Sequence, residues 1–131
     1  MSISNFFSGY KPFKNVVEST PVDSMLMGIY YFKFKGDIVY IGISNNLGSR
    51  LRKHWNGASC SNLKEYRDSL YVKIETYGDA TYLDSQERAS IRNKLEVTES
   101  LLIKKHSPEW NIRKKGSHLG SLLDNLIQLF K

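Results

Sequence analysis

Apolar and polar residues alternate in some stretches of the chain and recur at helical spacing in others, and their order already outlines an architecture. Residues 25–34 and 38–43 are rich in β-branched and aromatic side chains, with Lys35-Gly36-Asp37 between them. Two strand-like runs joined by a short glycine-containing loop predict an antiparallel hairpin. A third strand is predicted over residues 70–77. There Tyr71, Lys73, Glu75 and Tyr77 alternate with Val72, Ile74 and Thr76 until Gly78-Asp79 ends the run.

Helices are predicted in the intervals. Asn45 or Asn46 caps a helix running to about Trp55, closed by Asn56-Gly57. A short helix is predicted over residues 63–69. Asp84 with Glu87 three residues later forms a capping box that opens a long helix to about His106, and Pro108 stops it. Leu119, Leu122, Leu123, Leu126, Ile127 and Phe130 fall at helical spacing, so the tail reads as an amphipathic helix. Residues 1–25 are broken by Gly9, Pro12 and Pro21 and anchored by Phe6, Phe7, Tyr10 and Phe13; they read as an irregular arm. The expected organisation is an arm over 1–25, a main domain over 26–115 and an amphipathic helix over 116–131. The fold class is α+β, a small three-stranded antiparallel sheet flanked by helices.

Composition narrows the class without changing this picture. The 131 residues suit one compact domain. Nineteen Lys+Arg against 13 Asp+Glu give a net charge of +6, which favours a polyanionic partner over merely keeping the protein soluble only once other evidence joins it. One cysteine, Cys60, excludes an internal disulfide and cysteine-rich metal spacing. No signal-peptide pattern or bilayer-length apolar run is present, so a cytoplasmic location is expected.

Three polar residues stand where apolar ones are expected. On the first helix Leu47, Leu51 and Trp55 form the stripe, and His54 lies about 20° from Leu47 at 100° per residue. Arg50 sits at the stripe's edge, four before His54 and so on the same face. On the long helix the stripe is Ile91, Leu95, Leu102 and Ile103, and Glu99 sits inside it. A carboxylate there needs a salt bridge, a polar cavity or a metal. Taken singly, each residue is more often an idle histidine, a surface arginine or a salt-bridged glutamate.

Together with the hairpin they carry a resemblance. Gly28-Ile29-Tyr30 and Tyr40-Ile41-Gly42 stand nine residues apart, followed by Leu47, Arg50, His54, Glu99 and, twelve residues after Glu99, Asn111 behind Trp110. This order and spacing resembles the GIY-YIG nuclease superfamily over roughly residues 26–112. Residues 95–111 are similar to the matching helix of excision-repair incision subunits, and residues 50–54 to a run in phage homing endonucleases. The chain departs at Ile43, where the repair subunits carry Lys.

The resemblance implies phosphodiester hydrolysis in DNA with one divalent cation, Mg2+ or in its place Mn2+, held by Glu99. It implies that Arg50 holds the phosphate oxygens and that Asn111 braces the site by hydrogen bonds. Tyr30 is the first choice for general base, with Tyr40 and His54 as alternatives. A phenol is a poor base at neutral pH unless a nearby cation favours the phenolate. Grip on DNA is expected from Arg52, Lys53, Arg88, Arg92, Lys104, Lys105, Arg113, Lys114 and Lys115, which read no sequence by themselves.

The expected activity is that of a minimal phage-type or restriction-type endonuclease, whose apolar tail is to be covered either by a second copy in a homodimer or by its own domain as a capping helix. The alternatives are a structure-selective repair nuclease, a catalytically silent nucleic-acid-binding module of the same fold, and an interaction protein acting through its last helix.

Overall fold

A computed structural model of the chain describes residues 9–114. The amphipathic segment 116–131, Lys115, Phe6 and Phe7 lie outside the described residues, and with them the expected tail-mediated dimer. Arg113 and Lys114 belong to the closing 3-10 turn, Glu109–Lys114.

The sheet is antiparallel throughout, with strands β1 (Lys11–Pro12), β2 (Leu26–Phe34), β3 (Asp37–Ser44) and β4 (Leu70–Asp79) in the spatial order β1-β4-β2-β3. Three of these are the expected strands; β1 is a two-residue addition at one edge. The helices are α1 (Phe13–Ser19), α2 (Leu47–Trp55), α3 (Ser61–Glu65) and α4 (Ser85–His106), and short 3-10 turns occupy Arg67–Ser69 and Ala80–Tyr82.

The N-terminal segment corrects the sequence reading. Residues 13–19 form a helix, and Phe13 and Val16 are buried in the core. Phe13 meets Phe32 and Trp55 edge-on, at centroid distances of 4.8 and 5.0 Å. Two turns without a side-chain cap do not stand on helix propensity; packing of the aromatic holds them.

The β2–β3 turn consists of Lys35 and Gly36, both at positive φ (52° and 87°), so Asp37 already belongs to the strand. That is the hairpin geometry whose twist matches the flanking strands. Pairing starts with Phe34 opposite Asp37 and Lys33 opposite Ile38, then shifts so that Phe32 faces Tyr40 and Tyr30 faces Gly42. Val39 is the extra residue of a bulge, and it is buried in the same cluster as Tyr40. Without this bulge Tyr40 would fall opposite Tyr31, on the other face of the sheet.

Each face of the sheet has its own core. One carries Tyr30, Phe32, Tyr40 and Val72 beneath Leu47 and Leu51 of α2 and Phe13 of α1. The other carries Met27, Ile29, Tyr31 and Ile41 beneath Leu95 and Ile103 of α4. Asn46 caps α2 by accepting from Ser49 N at 3.1 Å. The Asp84–Glu87 capping box opens α4, and Ser107, left-handed at φ 45°, closes it.

Candidate active site

The site forms where α2 lies over the hairpin, and two glycines let it close. A side chain at Gly42 would stand 2.3 Å from the Tyr30 hydroxyl, and one at Gly28 would stand 2.2 Å from the Glu75 carbonyl oxygen of β4. The outer glycines of the two triplets are therefore space for a tyrosine ring and for a neighbouring strand.

Tyr30 and Tyr40 stack at 6.2 Å with 18° between their planes, and the His54 ring lies 5.3 and 5.5 Å from them. The Tyr30 hydroxyl and His54 Nε2 are 2.7 Å apart, and Arg50 Nε donates to the same hydroxyl at 3.4 Å. His54 has no exposed surface, so it is not the idle surface histidine of the ordinary case. Its other nitrogen, Nδ1, is hydrogen-bonded to the Ser59 hydroxyl.

Charge is unevenly tolerated here. Burial pushes the Tyr30 phenol far above its ordinary value, and Tyr40 adds to that against a smaller opposing pull from Arg50. Burial works against the Arg50 charge, but the two phenols outweigh it and its pKa is raised, so Arg50 is a fixed cation. Glu99 is 9% exposed on α4, between Leu95 and Ile103 at 0% and 2%, and its carboxylate is near enough to add to the upward push on Tyr30. Five of the six expected residues thus gather around the Tyr30 phenol: Tyr40, His54 and Arg50 by direct contact, and Glu99 by its charge.

Asn111 does something different. Its Oδ1 accepts from Ile41 N and its Nδ2 donates to Ile41 O, both at 2.8 Å. β3 is an edge strand, and these are the backbone groups that its partner β2 leaves open. Asn111 therefore locks the central residue of the second triplet to the turn after α4.

The expected basic grip divides. Lys53, Arg88, Lys104 and Lys105 are exposed. Arg52 instead donates to the Thr20 and Gly48 carbonyls at 2.9 and 3.0 Å. Arg92 pairs with Glu96 at 3.1 Å and reaches Asn45 at 3.2 Å. Arg52 is thus engaged by the fold's own carbonyls, whereas Arg92 is held in a partly exposed pair on the surface of α4. Ser59 is the site residue that the sequence reading missed. It sits in a polar loop five residues after His54, where no pattern marks it.

No three His, Cys, Asp or Glu side chains come together among the described residues, and no described helix is long and apolar enough to cross a membrane.

Comparison with known proteins follows the same outline. The model of the GIY-YIG catalytic domain matches residues 26–111. The UvrABC system protein C of Thermotoga petrophila is 31% identical over 93 residues, 70% of this chain. That of Deinococcus radiodurans is 30% identical over 97 residues, 72% of this chain. The chain spans 14% and 13% of these relatives. The fold is similar to that of the GIY-YIG N-terminal endonuclease domain of UvrC from Thermotoga maritima, solved bound to magnesium. That match has a TM-score of 0.55 and 24% identity, covering 76% of this chain and 94% of the other.

Proposed function

The chain belongs to the GIY-YIG catalytic-domain family, and we propose from that premise that it hydrolyses DNA phosphodiesters at the Tyr30–Tyr40–Arg50–His54–Glu99 site, in the manner of a minimal phage-type or restriction-type endonuclease. The observation that carries the proposal is a guanidinium bonded to one of two stacked phenols, with a largely buried carboxylate on α4 close enough to act on the same phenol.

Glu99 fits a hard divalent cation. It offers an oxygen donor in an otherwise apolar stripe, and since no group of three metal-binding side chains forms among the described residues, the remaining ligands there would be waters and substrate oxygens, as Mg2+ prefers. The magnesium of the T. maritima domain supports Mg2+, with Mn2+ as its substitute. Such an ion supplies positive charge against the phosphate oxygens and the leaving 3′ oxygen.

The chain's own groups do the rest. Arg50 presents its fork to the non-bridging oxygens and holds them as negative charge builds. Tyr40, 6% exposed and beside the Arg50 cation, is the general base: as the phenolate it takes the proton of the attacking water and becomes the neutral phenol. Tyr30 is reassigned from base to anchor. It has no exposed surface, its phenol resists ionisation, and its hydroxyl is held between His54 and Arg50. Asn111 keeps Tyr40 and Gly42 in register through Ile41. Lys53, Arg88, Lys104 and Lys105 contribute phosphate contacts.

A repair-type strand incision is the second reading, favoured by the UvrABC relatives. One site per chain cuts one strand per encounter, so double-strand cutting calls for two copies, and light scattering on the full chain tests the homodimer. The test of the function is cleavage of supercoiled plasmid and of branched and nicked duplexes in Mg2+ with product ends mapped. Fixed sites support the restriction-type reading, preference for distorted duplex the repair-type reading, and no cleavage of any substrate refutes both.

A further inference from the structure

The hydrogen bonds around Tyr30 have a direction. Arg50 can only donate, and its Nε faces the Tyr30 hydroxyl. The proton of that hydroxyl therefore needs another acceptor, inside a pocket without solvent. His54 Nε2 stands 2.7 Å away. It accepts only when it carries no proton, so a neutral His54 carries its proton on Nδ1. Nδ1 faces the Ser59 hydroxyl, and Ser59 is exposed, so its own O–H turns to water. The hydrogen bonds then run in one sense, from Arg50 through Tyr30 and His54 to Ser59 and solvent.

We propose that Ser59 is a positioning residue for the cleavage reaction: it fixes the His54 tautomer and, through Tyr30, the placement of the Arg50 guanidinium. This rests on the site reading given under Proposed function. In the other tautomer two N–H groups would point at the Tyr30 oxygen. The phenol proton would then lose the His54 acceptor that stands 2.7 Å away. The hydroxyl would turn away, and Arg50 would lose one of its two phenol contacts and keep only Tyr40. Ser59 itself touches no substrate.

The experiment combines 15N NMR of the His54 ring with steady-state cleavage, on the full chain as wild type, Ser59→Ala and Ser59→Thr. The expected wild-type spectrum shows Nδ1 protonated and Nε2 bare. Ser59→Ala moves the ring toward the Nε2–H form and lowers kcat about tenfold, with KM changed less than about twofold. Ser59→Thr, which keeps the hydroxyl, restores both. An Nε2–H ring in the wild type overturns the proposal. So does an unchanged tautomer in Ser59→Ala, whether or not kcat falls, because a fall without it is a merely structural effect. The tautomer is read without substrate, so a chain that cuts no DNA would refute the proposed function while the spectrum still decides the role of Ser59.

Discussion

On one face of the β2–β3 hairpin, Ile29 and Ile41 close against Leu95 and Ile103 of α4, all at 2% exposure or less. On the other face, neighbours on the same strands, Tyr30 and Tyr40, pack as tightly but bring hydroxyl groups that must be satisfied. Each triplet is thus split between two duties. Its central isoleucine holds the fold, and its outer glycine and tyrosine build the site. The comparison teaches what allows polar atoms into a core. The phenol of Tyr30, the ring of His54 and the fork of Arg50 satisfy one another, and among the described residues no buried side-chain nitrogen or oxygen lacks a partner. The dry face contributes stability through area, and the polar face contributes orientation.

Adjacent substitutions break the comparison most sharply. Ile41→Ala should cost about 2–5 kcal/mol in denaturant unfolding and leave the folded fraction cutting at nearly the wild-type rate. Gly42→Ala forces a methyl against the Tyr30 hydroxyl at 2.3 Å and should reduce cleavage to background. Equal effects of the two variants on activity would erase the division of duties. Arg50→Lys keeps the charge and loses the fork; single-turnover rates should fall about a hundredfold, and a Lys variant near wild type would make Arg50 a steering charge.

The next effect is on stability and has a definite sign. The folded-state pKa of Tyr30 is raised. Its contribution is therefore fully present below the unfolded value of about 10 and is lost as pH rises beyond it, because the unfolded phenol ionises and the folded one resists. Denaturant midpoints should fall from about pH 8 to about pH 11, and Tyr30→Phe should make that slope shallower, leaving the part carried by Tyr10 and Tyr31, whose phenols burial also raises. The smallest expected effect is that of a single grip residue. Lys53→Ala or Lys104→Ala should weaken DNA binding uniformly across sequences and lower the salt slope by about 0.9.

Most of the dry face was legible in the sequence, because alternation and helical spacing mark apolar residues directly. Hence the hairpin, β4, α2 and α4 with its capping box lie close to where the patterns place them. Arg50 and His54 on the polar face, and Glu99 on α4, were legible as violations of those patterns. What escaped depends on contacts between distant residues. Helix α1 exists through Phe13 against Phe32 and Trp55. The bulge at Val39, which turns Tyr40 toward Tyr30, involves no glycine and leaves no mark on the pattern. Ser59 becomes meaningful only once His54 is known to be buried beside it. Arg52 looked like a free phosphate ligand until the Thr20 carbonyl claimed it.

The central claim is that Glu99 holds the cation on which hydrolysis depends. Its most direct test is relaxation of supercoiled plasmid in Mg2+ by wild type and Glu99→Gln, using preparations matched in circular dichroism and DNA affinity. The predicted result is cleavage by wild type that EDTA abolishes, with none above background from the folded Gln variant. A folded Glu99→Gln protein that cuts at the wild-type rate would contradict it, as would wild-type cleavage that EDTA leaves intact.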